Sequence, residues 1–221
     1  PREALPTDSA AGTREQQRPS VDPPGFPSAP RGPLAGALRD YLDIFVQNAV
    51  TEPAPAKGPV PDDPYRRMVD IKGYSYFMNA SQVGICRMEP NAWCRGAEPL
   101  AHEFAIALLL EHGRIPEPEN PARAWIEPAV EEAADCRIGG IAVCLAGHIS
   151  QLGWSATAHV RGAGSVDAGR LSVLAGLNVR IEDQLHNPFI TQGFSLAVVT
   201  TDYVLEVDQP LADKALRAKG P

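Results

Sequence analysis

The sequence lacks several features that would assign it to a functional class at once. No apolar run reaches the roughly 18 residues that a membrane-spanning helix needs. Lys and Arg number 20 against 27 Asp and Glu, so the basic excess of a nucleic-acid-binding protein is missing. We therefore expect no membrane span and no nucleic-acid partner, and we expect a cytoplasmic protein.

Close-spaced metal and catalytic motifs are also missing. The four cysteines form no C-x-x-C pair, so we expect no iron–sulfur cluster in this chain, and we interpret them as buried free thiols. The five histidines form no H-E-x-x-H pair, and no G-x-S-x-G elbow exists. We interpret Glu131, Glu132 and Asp135 as a solvated helix face rather than an acid/base pair. The cysteines are Cys86, Cys94, Cys136 and Cys144.

What the sequence does contain is one long amphipathic segment. Apolar residues spaced by three and four predict a helix over residues 122–152 that packs across a sheet. Inside it, Gly139 and Gly140 indicate that another backbone or a flat ligand comes close. After Gly153 the apolar period changes to two, and SATAHV is predicted as a short strand.

Around this helix the chain divides into three parts. Residues 1–33 hold eight prolines, which predicts a disordered or wrapping arm without regular secondary structure. Residues 34–211 are predicted as one layered α/β or α+β domain, and 212–221 as a tail or truncated linker. The predicted helices start near Leu34, after Asp62 or Asp63, and after Ser165 or Asp167, the last ending at Gly176. The predicted strands lie at Val83–Met88, within HEFAIALLLEHG, and at Phe194–Thr201.

A run of four segments in order resembles a known family. The segments are IAVCLAGHISQLGWSATAH, VDAGRLSVLAGL, QLHNPF and FSLAVVTTDYVLEVDQPLA. They resemble the corrinoid-binding core of the cobalamin-dependent reductive dehalogenases, to which the epoxyqueuosine reductases are related. The match covers roughly residues 65–211. It rests on the turn Leu152-Gly153-Trp154, on Ala175-Gly176-Leu177, and on Thr201-Asp202 with the Asp-Gln-Pro that follows.

The resemblance implies a fold, a cofactor and a set of contacts. The fold would be a nitroreductase-like α+β domain with a long central helix on a mixed sheet, and the cofactor would be cobalamin. Its ring would lie over the loop after β-strand SATAHV and over the helix that ends at Gly176, with a Pro-containing turn opposite. The implied cofactor-binding residues are His159, Gly162, Gly164, Ser165, Val166, Leu171, Gly176, Leu177, His186, Asn187 and Pro188.

The chain also departs from the family. The family continues into a module whose cysteines hold two iron–sulfur clusters, and no such motif occurs through Pro221. The family's catalytic Tyr has no counterpart in GRIPEPENPARAWIEP, which offers Trp125, and Asn178 stands where the family has a Gly. We assign no catalytic residue and no metal ligand to this chain.

Three functions stay open at this point. The chain is either the corrinoid-binding domain of a reductive dehalogenase, or a degenerate, non-catalytic duplicate of it with a structural or partner-covering role. The third is a cobalamin-handling or small-aromatic-binding protein on the same fold. Under the first, an iron–sulfur or catalytic module on a continuing or separate chain is the expected partner, and an organohalide is the substrate of the complete oxidoreductase.

Overall fold

The computed structural model describes residues 9–23 and 30–211. Its α-helices are α1 (Ser9–Gln17), α2 (Pro33–Val46), α3 (Pro64–Phe77), α4 (Arg123–Ile126), α5 (Val130–Gln151) and α6 (Ala168–Leu174). Its strands are β1 (Val50–Thr51), β2 (Gln82–Arg87), β3 (Phe104–Glu111), β4 (Ala156–His159), β5 (Val179–Ile181), β6 (Gln184–His186) and β7 (Phe194–Thr201).

Five of the strands form one sheet in the order β1-β4-β7-β3-β2, and β5 and β6 form a separate hairpin. The α+β class is confirmed, but every hydrogen-bonded pair of the five-stranded sheet is antiparallel rather than mixed. The reason is the position of β7. Strands β3 and β4, joined through the helical segment that contains α5, run parallel to each other, and β7 inserts between them in the opposite direction.

The central strand β3 is buried on both faces, as its continuous apolar run predicted. Phe104, Ile106 and Leu108 contribute to the core under α5. The alternate residues Ala105, Ala107 and Leu109 contribute to a second core on the opposite face, under α6. The sheet is therefore the middle of three layers.

The long predicted helix is present but shorter than residues 122–152. Helix α5 begins at Val130, and a 3₁₀ turn at Glu127–Ala129 separates it from α4. The break falls at Pro128, which has no N–H to continue an α-helical ladder. The apolar stripe of α5 is buried in the core under the sheet, which confirms that the helix packs across it.

The paired glycines of α5 receive side chains of α2. A Cβ at Gly139 would lie 2.6 Å from Cδ1 of Leu42, and one at Gly140 would lie 3.1 Å from Cζ of Phe45. Because neither glycine has a side chain, α2 can pack closely against α5. The glycine pair predicted a close backbone or a flat ligand, and the observed contact is with the side chains of α2 instead.

Local signals predicted several boundaries correctly. Asp63 caps α3 by accepting a hydrogen bond from the backbone N–H of Tyr65, at 3.0 Å. Asp167 caps α6 by accepting one from the N–H of Arg170, at 2.9 Å. Strand β7 has the bounds predicted for it.

The expectation that residues 1–33 have no regular secondary structure is wrong for the described part of that segment. Helix α1 occupies Ser9–Gln17, a stretch without proline. Ala11 and Glu15 of α1 are buried against the rest of the protein, so tertiary contacts stabilise the helix. Residues 1–8, 24–29 and the predicted tail at 212–221 lie outside the described residues, and the domain boundaries stay predictions.

Within residues 9–23 and 30–211, no helix is both long and apolar enough to cross a bilayer.

Candidate functional site

The N-terminal arm, residues 9–22, lies across α6 and is held there by a buried arginine. Arg170 of α6 is fully buried, and its guanidinium donates to the backbone oxygens of Arg18 (3.0 Å), Pro19 (2.7 Å) and Asn91. The side chain of Asn91 also donates to the carbonyl of Arg18, at 2.8 Å. A buried guanidinium needs such partners, because removing it from water is costly. The arm is therefore attached to α6 through its own backbone.

A salt bridge fixes α1 at the other end of the arm. Glu15 is buried and accepts a hydrogen bond from Arg180 of β5 at 2.7 Å. This pair and the Arg170 contacts attach the arm to both β5 and α6.

The turn after α6 is covered by the segment that follows β7. Gly176 has φ = +70°, which favours glycine, and it ends the helix as its sequence predicted. A Cβ at Gly176 would lie only 2.4 Å from the carbonyl oxygen of Gln209. Backbone does approach Gly176 closely, and that backbone belongs to this chain.

His159, at the end of β4, belongs to a buried hydrogen-bonded series. Its Nδ1 accepts from the N–H of Ser165 (3.3 Å), so its Nε2 carries the proton and donates to Thr200 (2.9 Å). The Thr200 hydroxyl then donates to Nδ1 of His102 (2.8 Å), whose Nε2 donates to Ser155 (2.8 Å). Burial, with a smaller effect of nearby His102, lowers the pKa of His159 to about 4. At neutral pH His159 is therefore an uncharged residue that orders the loop after β4.

Beside His159 lies a cavity of about 300 Å³ between the sheet, α6, the β5–β6 hairpin and the arm. Val166, Leu185 and Leu196 are among its apolar walls, and Val21 of the arm contributes another. Small-molecule sites range over about 300–1,000 Å³, so this cavity is at the lower limit. We define it as the His159 cavity.

An ion-pair cluster forms one side of the His159 cavity. Asp135 of α5 is only 3% exposed, and Arg161 donates to its Oδ2 at 3.0 Å. Ser195 hydrogen-bonds the same carboxylate, and Glu131 also pairs with Arg161. Burial is the largest effect on Asp135 and raises its pKa. The interpretation of Asp135 as a solvated residue is thus wrong, because Arg161 reaches it from the loop after β4.

The structure brings only some of the implied cofactor-binding residues together. His159, Gly164 and Val166 line the cavity, and Ser165 lies between them, held to His159. Gly162 is exposed at the tip of the loop, and His186 is half-buried in β6. Gly176 is half-buried beneath Gln209, and the remaining residues are buried in the interior: Leu171, Leu177, Asn187 and Pro188.

Asn187 illustrates why burial matters for this set. Its Nδ2 donates to the side-chain oxygen of Gln82 (2.7 Å), to the carbonyl of Leu177 (2.9 Å) and to Asn178 (3.1 Å). Its Oδ1 accepts from two backbone N–H groups in the turn after β6. The side chain therefore fixes the turn to β2 and to the end of α6, instead of presenting hydrogen bonds to an amide side arm of a ligand.

Sequence reasoning missed Arg161 and Arg170, the burial of Asp135, and the place where the predicted arm attaches. An ionisable residue at an apolar-periodic position, as Asp135 and Arg170 are, was the available signal. It indicates a buried charge but not its partner, which here is 26 residues away for Asp135 and 152 for the Arg170–Arg18 contact.

The cysteines differ in exposure. All four are free, as expected, but only Cys86 and Cys94 are buried, whereas Cys136 is half-buried and Cys144 is exposed. The expectation of four buried thiols is therefore wrong for the two on α5, because they lie beside its buried stripe. Among the described residues, no group of three His, Cys, Asp or Glu side chains is placed to hold a metal ion.

Comparison with known proteins gives results for solved structures only. No protein-family model matches the chain, and no curated protein matches it. The catabolic reductive dehalogenase NpRdhA matches with a TM-score of 0.80 and 35% identity, over 95% of this chain and 29% of that one. The chain has the reductive-dehalogenase-type fold. A structure of a reductive dehalogenase with B12-dependent activity matches with a TM-score of 0.80 and 34% identity, over 95% and 29%.

This reductive-dehalogenase-like chain spans less than a third of the length of these dehalogenase structures. NpRdhA in complex with 3-bromo-4-hydroxybenzoic acid matches equally well, with a TM-score of 0.80 and 34% identity, over 95% of this chain and 28% of that one. An epoxyqueuosine reductase matches with a TM-score of 0.49 and 11% identity, over 68% and 49%, and no argument depends on it.

The residues present do not fit a corrinoid. A corrinoid is much larger than the drug-sized ligands that fill cavities of this volume range. The face of α6 on which its ring would lie carries the arm, and the turn at Gly176 carries Gln209. We therefore derive no chemical step that uses a corrinoid in this chain.

Proposed function

We propose that this chain is a non-catalytic, corrinoid-domain-like part of a reductive dehalogenase, with a structural and partner-covering role. One observation carries the proposal: the arm occupies α6, where the sequence resemblance implied a corrinoid. Arg170 and Asn91 hold the arm through three of its carbonyl groups, and those groups would lose their donors if the arm left. A buried acceptor without a donor costs about 1–3 kcal/mol. The arm is thus a costly segment to displace.

The chemistry of dehalogenation supports the same proposal. Reductive loss of halide needs two electrons and a proton donor. The segment where the resemblance implied a catalytic Tyr holds the exposed Trp125, which has no acidic proton to give at neutral pH. His159 is held neutral and donates its one N–H to Thr200. Neither Trp125 nor His159 therefore offers a ready proton.

A covering role requires an exposed face that suits a partner, and α2 supplies one. Its inner side packs on α5, while Leu34, Tyr41 and Ile44 are exposed on the other side at spacings of seven and three. Exposed apolar residues in such a row are typical of an interaction surface. We infer that the catalytic part of the dehalogenase, which this chain does not cover, packs on this outer face of α2.

The alternative is that the chain itself binds cobalamin as part of the complete enzyme. Its support is the 34% identity to a reductive dehalogenase with B12-dependent activity. It would require the arm to leave α6 and the segment around Gln209 to move. The cytoplasmic location, the lack of a nucleic-acid partner and the lack of an iron–sulfur cluster stay predictions under both proposals.

A cobalamin titration tests the proposed function. Purified protein is added to cobalamin, and the visible spectrum and the cobalamin retained after gel filtration are recorded. We expect the spectrum of free cobalamin and no retained cofactor. With a chemical reductant and 3-bromo-4-hydroxybenzoic acid, which NpRdhA binds, we expect debromination no faster than with free cobalamin. Stoichiometric retention of cobalamin would overturn the proposal in favour of the alternative.

A further inference from the structure

The His159 cavity has walls that are mostly apolar although it lies next to charged groups. Val166 and Leu196 are aliphatic lining residues, and Phe194 and His159 are aromatic ones. Burying apolar ligand surface against such walls is favourable by about 25 cal/mol per Å². Its volume of about 300 Å³ suits a single ring rather than a fused ring system.

Each ionisable side chain that lines the cavity already has a partner. Asp135 and Arg161 pair with each other, and both ring nitrogens of His159 are hydrogen-bonded. Asp22 pairs with Arg95 at 3.1 Å, and Asp167 caps α6. A charged ligand would have to break one of these pairs to be satisfied, and an unpaired charge in a half-buried site is costly. The walls therefore favour an uncharged ligand.

The sign of the lining charges gives a second reason to reject an anion. Asp22, Asp135 and Asp167 line the cavity, and Arg161 is the cation that faces them there. A carboxylate placed in the cavity would be closer to like charges than to an unshared positive one.

We propose that the His159 cavity binds a small, uncharged ring compound, with its ring against Phe194 and the imidazole of His159. Aromatic rings prefer edge-to-face or offset contacts. Trp93 already makes such a contact with His159: the two rings meet at 77° and their centroids are 5.9 Å apart. The arm completes the site, since Val21 forms part of its wall. This inference does not depend on the proposed function, because it needs neither cobalamin nor a partner.

Three probes of nearly equal size separate the possibilities. Benzyl alcohol, benzoate and benzylamine share one ring and differ at neutral pH in charge. Each is titrated into the purified 221-residue protein, and binding is followed by ligand-observed NMR and by backbone amide shifts. We expect saturable binding of benzyl alcohol, with the largest shifts at Gly164, Val166 and Ala168. We expect at least tenfold weaker binding of benzoate and of benzylamine.

Matched variants locate the site. Ala168 lines the cavity at the start of α6, so Ala168→Leu fills it and should weaken benzyl alcohol binding at least tenfold. Ala37→Leu makes the same change on the exposed side of α2 and should leave binding unchanged. Leu185→Trp fills the cavity from the hairpin, and it replaces Ala168→Leu if circular dichroism shows that Ala168→Leu is unfolded.

Three results would overturn the inference. They are no saturable benzyl alcohol binding, benzoate or benzylamine binding as tightly as benzyl alcohol, and unchanged affinity in a folded cavity-filling variant.

Discussion

The two faces of the central sheet are built by different means. Under α5, aliphatic side chains such as Ile138, Leu145 and Ile149 form a continuous core with those of β3. Under α6 the apolar core is smaller. There, polar contacts between residues far apart in the sequence, above all those of Arg170 and His159, connect the elements. The first face resembles the interior of any layered domain. The second face is where a corrinoid was expected, and there the N-terminal arm of this chain packs on α6.

The largest expected effect concerns the aliphatic core under α5. Leu145→Ala removes a fully buried side chain from the α5 core and should lower the free energy of unfolding by about 3 kcal/mol. Ile44→Ala, on the exposed side of α2, should change it by less than about 0.5 kcal/mol. Urea denaturation measures both. Equal losses would show that the outer side of α2 is as well packed as the core.

Acid should weaken the α6 face through His159. Its pKa falls from 6.5 to about 4 on folding, so the unfolded chain binds the proton more tightly. This residue therefore leaves the free energy of unfolding unchanged above pH 6.5. As the pH falls from 6.5 to about 4, it lowers the free energy of unfolding by about 3 kcal/mol in total. Burial lowers the pKa of His102 as well, in the same direction.

Urea denaturation at several pH values checks this expectation. His159→Gln should be less stable at pH 7 and should lose less stability than the wild type between pH 6.5 and 4. The raised pKa of Asp135 acts with the opposite sign, but it is present in both proteins. Parallel pH profiles for the two proteins would contradict the assignment.

Loss of the Arg170 guanidinium should release the arm while the α5 face stays folded. Arg170→Met leaves the carbonyl of Pro19 without its donor and leaves that of Arg18 with Asn91 alone, at a cost of about 2 kcal/mol. Amide exchange should become faster in α1 and not in α5. Arg66→Met, a change of the same kind on the exposed side of α3, serves as the control. Unchanged exchange in α1 of the Arg170 variant would mean that other contacts hold the arm.

The smallest effect concerns the surface member of the Arg161 cluster. Glu131 is half exposed, and surface ion pairs contribute about 0–1 kcal/mol. Glu131→Gln should therefore change the free energy of unfolding by less than about 0.5 kcal/mol. A loss as large as that of Arg170→Met would show that Glu131, and not only Asp135, is needed to hold Arg161.

These two faces also differ in how far the sequence predicts them. Periodicity and capping residues are local signals, and they correctly predicted α3, β7 and the packing of α5 across the sheet. Pro128 carried the signal for the break before α5, but the prediction extended the apolar stripe through it. The sequence resemblance also implied the fold, which the structural comparison confirms.

The second face depends on contacts that leave no periodic pattern. Arg170 contacts the arm backbone 152 residues away, and a backbone carbonyl can belong to any residue type. Proline content predicted an arm without regular structure, yet the proline-free Ser9–Gln17 forms a helix because Ala11 and Glu15 are buried on α6 and its neighbours. The residues implied for a cofactor came from the family resemblance and from their glycine, polar or apolar character, and none of these reveals that other parts of this chain already contact them.

Hydrogen exchange of the arm with and without cobalamin tests the central claim most directly. If the arm occupies α6 permanently, the amides in the last turn of α1 are protected, and excess cobalamin leaves their exchange unchanged. Arg170→Met provides the exchange pattern of a released arm. Rapid exchange throughout α1 in the wild type, or its appearance when cobalamin is added, would contradict the claim that the arm has replaced the corrinoid on this face.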